Sequence, residues 1–495
     1  MTVGLNKASV FAVVGEEEPG AYAVPTVGSE FLPLRPGNEV SYEPEELKSD
    51  ELLNDIGASK SFIGKEKVSG KHDIYLKHSG IEGTAPQTGI LFESIMGSVY
   101  ADSAERFSLA SSTDKLIKVT SGANFKQGQA VLIKSPAGSE IRNISSIVGN
   151  DLNLNFSTSA AIASSIGLGR AVVYMPEAQN HPTFSTTKYL GNGFAKEVSA
   201  GNTTTEASFK MEAGKFAEVS FSFEGTKYLF NPVYVEAGHA KMDFEDDTGV
   251  KVIEITAKTY KTPIELADAV ESAMNAVSSI DYLVTFSNQT GLFKIKSVNG
   301  TLLNLPFSTG VSNGETFQLA IGFLSDQSGL LEYDSELEQD YTPPVTPVYD
   351  AGDSIIIKGS ELFIGNQSDN ICICAQSVAI TISKTVEDVD CICEESGVLE
   401  KIPTAREASM EVTAVLKKHD VALLDSLLKN EGISAMFNAG PKTGGNWVPG
   451  KCFSAYLQKC TVSKYTTSGD SFIQVNMTLK GYVTTTEKDV YINFV

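Results

Sequence analysis

Two pairs of cysteines carry the clearest chemical signal: Cys372-Ile373-Cys374 and Cys391-Ile392-Cys393. In a strand, residues i and i+2 share a face, so two paired strands could present four thiolates to a zinc ion. Against this, metal knuckles use CxxC with a turn between the ligands, and a strand CxC also reads as small buried residues. Cys452 and Cys460 complete the set and offer a disulfide. The first residues, MTVGLNKASVFAVVGEEEPG, lack the basic start and full apolar stretch of a secretory signal. Synthesis in a cytosol with reduced thiols is therefore expected.

Other constellations are thinner. The histidines are His72, His78, His181, His239 and His419, and none forms HExxH or a similar cluster. His72 lies on the inward face of an alternating stretch, where a packed or hydrogen-bonded ring is the simpler reading. Asp243, Glu245, Asp246 and Asp247 in DFEDDTG could meet calcium. The run lacks the spaced loop and final Glu of an EF-hand, so it reads as a solvated turn. Neither GxxxxGK[ST] nor GxSxG occurs. Carboxylates are abundant, but nothing singles out two at a separation suited to glycoside cleavage. The expectation is a non-enzymatic chain with no catalytic residue and no cofactor. For metal, the candidates are Cys372, Cys374, Cys391 and Cys393 alone.

The elements that would position such residues are mostly strands. The 495 residues are 42% hydrophobic and 20% charged, enough apolar material for two to four cores. Ser, Thr, Val and Phe recur in short runs punctuated by Gly and Asn, which favours strands over long helices. The net charge of -22 opposes binding to nucleic acid or anionic membranes. It serves solubility. No apolar run of about 18 residues exists, so no membrane span is expected.

Along the chain, residues 1–40 read as an extended N-terminal arm with Pro and Gly breaks. A first β domain covers 41–103 and 177–232. It contains the alternating KEKVSGKHDIYLKH, a helix in GILFESIMGS ending at Gly97, and the strand pair NTTTEASFKMEAGKFAEVSFSFEG. Residues 104–176 read as an inserted small β domain. Residues 233–330 read as an inserted α+β domain. Its helix starts at Thr262-Pro263 and has Ile264, Ala267, Val270, Met274 and Val277 on one face. Residues 331–353 hold seven acids, three prolines and no Lys or Arg, as in a semi-rigid linker. The last domain, 354–495, has several strands and a helix in HDVALLDSLLKN.

The two ends echo each other. Each has a strand, a helix and then two hairpin strands in the same order. Ala217–Gly225 aligns with Ile473–Gly481, both alternating apolar and polar residues and both ending in Gly. Identity is low, and duplication of one fold is the preferred reading.

With these parts in view, the chain resembles the tail tube (major tail) proteins of long-tailed, non-contractile bacteriophages. The residues carrying the likeness are Glu66–Leu76 with GILFESIMGS, NTTTEASFKMEAGKFAEVSFSFEG, PTAREASMEVTAVL with LLDSLL, and GDSFIQVNMTLKG. They cover about half the chain, as patterns rather than an invariant motif. The resemblance implies a mainly β fold with a few helices: two β-sandwich or split-barrel tube domains, each with one flanking helix. It implies rings of subunits whose strands line a channel, stacked into a tube. Two tube domains per chain imply a trimeric ring with pseudo-six-fold symmetry. It further implies a tape measure protein and tail-end proteins as partners, transient passage of DNA, and a place in the virion tail after assembly in the host cytoplasm. The alternatives are another virion part, such as a baseplate hub or capsid decoration, and a carbohydrate-binding module. Against the last, the chain has one tryptophan, Trp447, where sugar platforms use several aromatics.

Overall fold

Alternation of apolar and small polar residues builds most of the regular structure. The computed structural model describes residues 9–48, 61–102, 104–135, 138–191, 193–349, 352–367, 370–417, 432–468 and 473–495. The chain is mainly β, with two α-helices among the described residues. It divides into two units. One comprises Met1–Ala12, Thr186–Ser199 and Tyr228–Thr346, and the other Val13–Ser185, Ala200–Lys227 and Pro347–Val495. The helix expected within 419–430 lies outside the described residues.

The larger unit is organised by eight strands, the third of which enters it at Ala200: β1 (Glu39–Tyr42), β2 (Val68–Tyr75), β3 (Ala195–Glu212), β4 (Glu218–Gly225), β5 (Ala375–Asp390), β6 (Val398–Val415), β7 (Phe453–Ser468) and β8 (Gln474–Gly481). They pair antiparallel in the order β1-β2-β4-β3-β5-β6-β8-β7. The first four and the last four repeat one arrangement. Glu218–Gly225 and Gln474–Gly481 have the same length and the same role, with Val219 facing Ile74 and Val475 facing Ala414. A register shift falls between Thr204 and Glu206 in β3 and between Val462 and Lys464 in β7, one and the same position in the two units. A bulge re-aims a strand, so its recurrence is a specific shared feature.

The first strands match as well. Glu39 faces Lys71 as Ala379 faces Glu411, and Glu46 faces Ile63 as Val386 faces Pro403. Each unit thus begins with a long hairpin. The aligned alternations at 217–225 and 473–481 occupy equivalent strands in these two units, which join through β3 and β5 into one sheet.

One face of this sheet is apolar. His72, Ile74, Phe209, Phe221, Phe223, Ile380, Ile382, Met410, Val412, Met477 and Leu479 are all buried on it. Helix α1 (Gly89–Met96) packs there and ends at Gly97, whose φ of 101° is the left-handed conformation that a glycine adopts without strain. Phe92 lies among Phe209, Phe221, Tyr174 and Phe494, with ring centroids 5.0 to 5.9 Å away. Further strands close the core from behind. Among them are Gly97–Ala101, Val172–Pro176, Ile433–Ala439 and Tyr491–Phe494, the last two pairing with Phe453–Cys460 of β7. Between residues 106 and 168, six short strands form a separate sheet around Ile117, Val131, Ile133, Ile144, Leu152 and Leu154.

In the smaller unit, helix α2 (Pro263–Val277) begins where Thr262 accepts a hydrogen bond from the Glu265 N–H at 3.2 Å. Its buried face is Leu266, Ala267, Val270 and Met274. Ile264 and Val277, expected on that face, are exposed, because the buried stripe is narrower and centred on Leu266. Glu332–Asp334, inside the stretch read as a linker, is the third strand beside Tyr282–Ser287 and Leu292–Ser297. Within the stretch read as an N-terminal arm, Val10–Gly15 pairs with Phe184–Leu190 of the same chain.

Candidate assembly face and edges

The other face of the eight-strand sheet is polar. The period of two that buries Phe221 and Phe223 turns Glu218, Ser220, Ser222 and Glu224 outward. Neighbouring strands add Lys71 and Asp73 from β2, Glu206, Ser208, Lys210 and Glu212 from β3, and Ser377, Thr381 and Ser383 from β5. Glu407, Ser409, Glu411 and Thr413 follow from β6, then Asn476, Thr478 and Lys480 from β8. A groove on this face is lined by Ser377, Glu411, Thr413, Lys464, Thr466 and Asn476, among others.

Hydroxyls and carboxylates dominate, and most cations are held by acids. Lys71 lies 3.1 Å from Asp73, Lys210 3.1 Å from Glu212, and Lys480 3.7 Å from Glu407. Hydrogen bonds from Lys215 and Lys210 hold the Glu212 carboxyl below its ordinary range. Among the described residues no acid lies within ion-pair distance of Lys464. Such a surface opposes the approach of phosphates. Among the described residues it offers no cluster of unpaired basic groups for a nucleic-acid backbone.

The structure does not bring the candidate zinc ligands together. Cys372 and Cys374 precede β5, and Cys391 and Cys393 follow it. A strand of 16 residues separates the pairs by about 50 Å. No group of three or more metal-binding side chains converges among the described residues. Cys452 and Cys460 are buried free thiols, about 26 Å apart along one extended segment, too far for a disulfide.

The acids of DFEDDTG are not a solvated turn, since two of them are buried. Asp243 accepts from the Ser312 N–H and hydroxyl, both at 2.6 Å. Asp246 accepts from Ser278, Thr248 and Tyr282. Burial opposes ionisation of Asp246, but those bonds hold its pKa below the usual value. Asp247 binds Thr301, and Glu245 binds Asn304. The three aspartates each pin a loop of the smaller unit, and Glu245 holds the strand residue that faces it.

Sequence reading missed the buried polar groups of the larger unit, a lysine among them. Lys384 is 4% exposed, and its Nζ donates to the Ser94 carbonyl at 2.6 Å and the Thr203 hydroxyl at 2.7 Å. Burial, helped by Arg406, lowers its pKa to about 7. His181 stands beside it at 3.5 Å, and Arg406 pairs with Asp489 at 2.9 Å. Ser94 is in the last turn of α1, so this lysine caps the negative end of the helix. The only signal was its place in the apolar alternation of ITISKTV.

Among the described residues no helix is long and apolar enough to cross a membrane. No protein-family model matches the chain, and a search of curated proteins finds no match.

Proposed function

We propose that this chain is a non-enzymatic structural subunit of a bacteriophage tail tube. Copies assemble into rings that continue the eight-strand sheet, with the polar face turned to a channel for DNA. Three copies supply six equivalent four-strand units, giving pseudo-six-fold symmetry, and rings stack into a tube in the virion tail. A tape measure protein and tail-end proteins are the partners that such a tube requires.

The observation that carries the reading is the repetition of one four-strand unit, in the same register and with the same bulge, edge to edge in a single sheet. A subunit that already joins two copies of a unit laterally has the geometry that ring growth extends. The polar, acid-rich face fits a lumen that must not retain its passenger. The test is negative-stain electron microscopy of the purified full-length chain at high concentration. Hollow tubes or rings with three-fold symmetry are expected. A chain that remains monomeric, with or without tail-end components, would sink the proposal.

A further inference from the structure

We infer that successive copies join head to tail through one defined strand pair: residues 461–468 of β7 in one copy against β1 of the next. The register is the one that β3 and β5 hold inside the chain. This rests on the proposed assembly and specifies its contact.

The internal joint is the template. There Glu206 faces Ser383, Ser208 faces Thr381, Phe209 faces Ile380 and Lys210 faces Ala379. Through its pairing with β8, β7 corresponds to β3, so that Glu206 matches Lys464, Ser208 matches Thr466 and Lys210 matches Ser468. Through its pairing with β2, β1 corresponds to β5, so that Ala379 matches Glu39 and Thr381 matches Ser41. Transferring the joint places Lys464 opposite Glu43, Thr466 opposite Ser41 and Ser468 opposite Glu39 in the neighbouring copy.

Three observations favour a second copy as the occupant. First, Phe453–Tyr456 of β7 has strands on both sides, whereas residues 461–468 pair only with β8 among the described residues. An edge of this length with no second partner among the described residues is a template for another strand. Second, the transferred register sets an opposite-charge pair, Lys464 with Glu43, where the internal joint has Glu206 with Ser383. Third, Val40 and Tyr465 pack only partly buried against the main core, while their counterparts Ile380 and Ala207, covered by the internal joint, are 0% exposed. A neighbouring strand would complete that burial. The two edges differ, so the contact is heterologous and propagates instead of stopping at a dimer.

The test uses the full-length chain with Cys372, Cys374, Cys391 and Cys393 replaced by Ser. Ser41→Cys and Thr466→Cys are introduced together, and assemblies are oxidised and run on a non-reducing gel. A ladder of covalent oligomers is expected from this pair, and at least tenfold less from Ser41→Cys with Lys464→Cys. In the otherwise native chain, Lys464→Glu should lower the assembled fraction at least tenfold at low salt, and adding Glu43→Lys should restore it. Because a variant can fail to fold, hydrogen exchange of the unmutated chain supplies a second readout: amides of 461–468 should slow on assembly. Tubes that form without the cross-link and without that protection would overturn this contact and leave the tube reading standing. Cross-linked open filaments without tubes would support the contact and overturn the tube. A native chain that never assembles would overturn both.

Discussion

Gly70 faces Phe223 across β2 and β4, and a Cβ on residue 70 would stand 2.3 Å from Cζ of that ring and 2.7 Å from the Glu39 carbonyl oxygen. At the same two positions of the second four-strand unit stand Met410 and Leu479, both fully buried. One pair combines no side chain with a large ring, and the other combines two mid-sized chains. Gly70→Met alone should therefore overpack the first unit and destabilise it by ~1–3 kcal/mol. Adding Phe223→Leu should recover the part of that loss caused by the ring, while the part caused by the Glu39 carbonyl remains. Urea denaturation of the two single variants and the double variant checks this, and strictly additive losses would refute the compensation.

His72 is fully buried with its ring 4.9 Å from that of Phe223, and burial pushes its pKa down to about 4, against a weaker upward pull from Asp73. The unfolded chain takes up this proton near pH 6.5 and the folded chain only near pH 4. The neutral ring's contribution is thus complete above pH 6.5 and lost as pH falls towards 4, at up to ~1.4 kcal/mol per pH unit. His72→Leu should flatten that part of the stability profile. An unchanged acid slope in the variant would contradict the assignment.

Lys384 behaves in the opposite pH range. Its pKa falls from 10.5 to about 7 on folding, so between those values the unfolded chain holds a proton that the folded chain has released. Stability should rise with pH from about 7 towards 10, with a slope of up to ~1.4 kcal/mol per pH unit from this group. Lys384→Met should remove the slope. It should also weaken the end of α1, because the Ser94 carbonyl and the Thr203 hydroxyl lose their shared donor. Thermal denaturation at pH 7, 8.5 and 10 distinguishes the two effects.

Thiol reactivity should follow position. Cys372, Cys374 and Cys393 are exposed and should react with a disulfide reagent in the native, unassembled chain. Cys452 and Cys460 are buried, and burial pushes both thiols up to about 12, so they should react only after unfolding. Prior incubation with zinc should leave the exposed thiols reactive, since the two pairs stand at opposite ends of β5. Zinc protection of all four in the monomer would contradict that placement.

Much of the local structure was legible in the residues. Strict alternation in FAEVSFSFEG and SFIQVNMTLKG dictates strands with one apolar face, because side chains on a pleat point alternately to either side. Thr262-Pro263 announces the start of α2, and Gly97 the end of α1, through local hydrogen bonding and backbone freedom. The buried acids Asp243 and Asp246 were misread as solvated, because their donors, Ser312 and Ser278, lie 69 and 32 residues away. The stripe of α2 was mis-centred because Leu266 and Ile264 are equally apolar and only the packed neighbours choose between them.

By itself the sequence determined the β-rich class, the start of α2, the end of α1 and the alternating strands of each half, all of which arise from interactions between near neighbours. Which strand lies beside which was decided only in the folded chain. Hydrogen bonds of a sheet join segments far apart, and any polar–apolar alternation can pair with any other. The tertiary structure therefore decided that β3 meets β5, that the bulges coincide, that the two cysteine pairs stay apart, and that residues 461–468 are left with a single strand partner among those described.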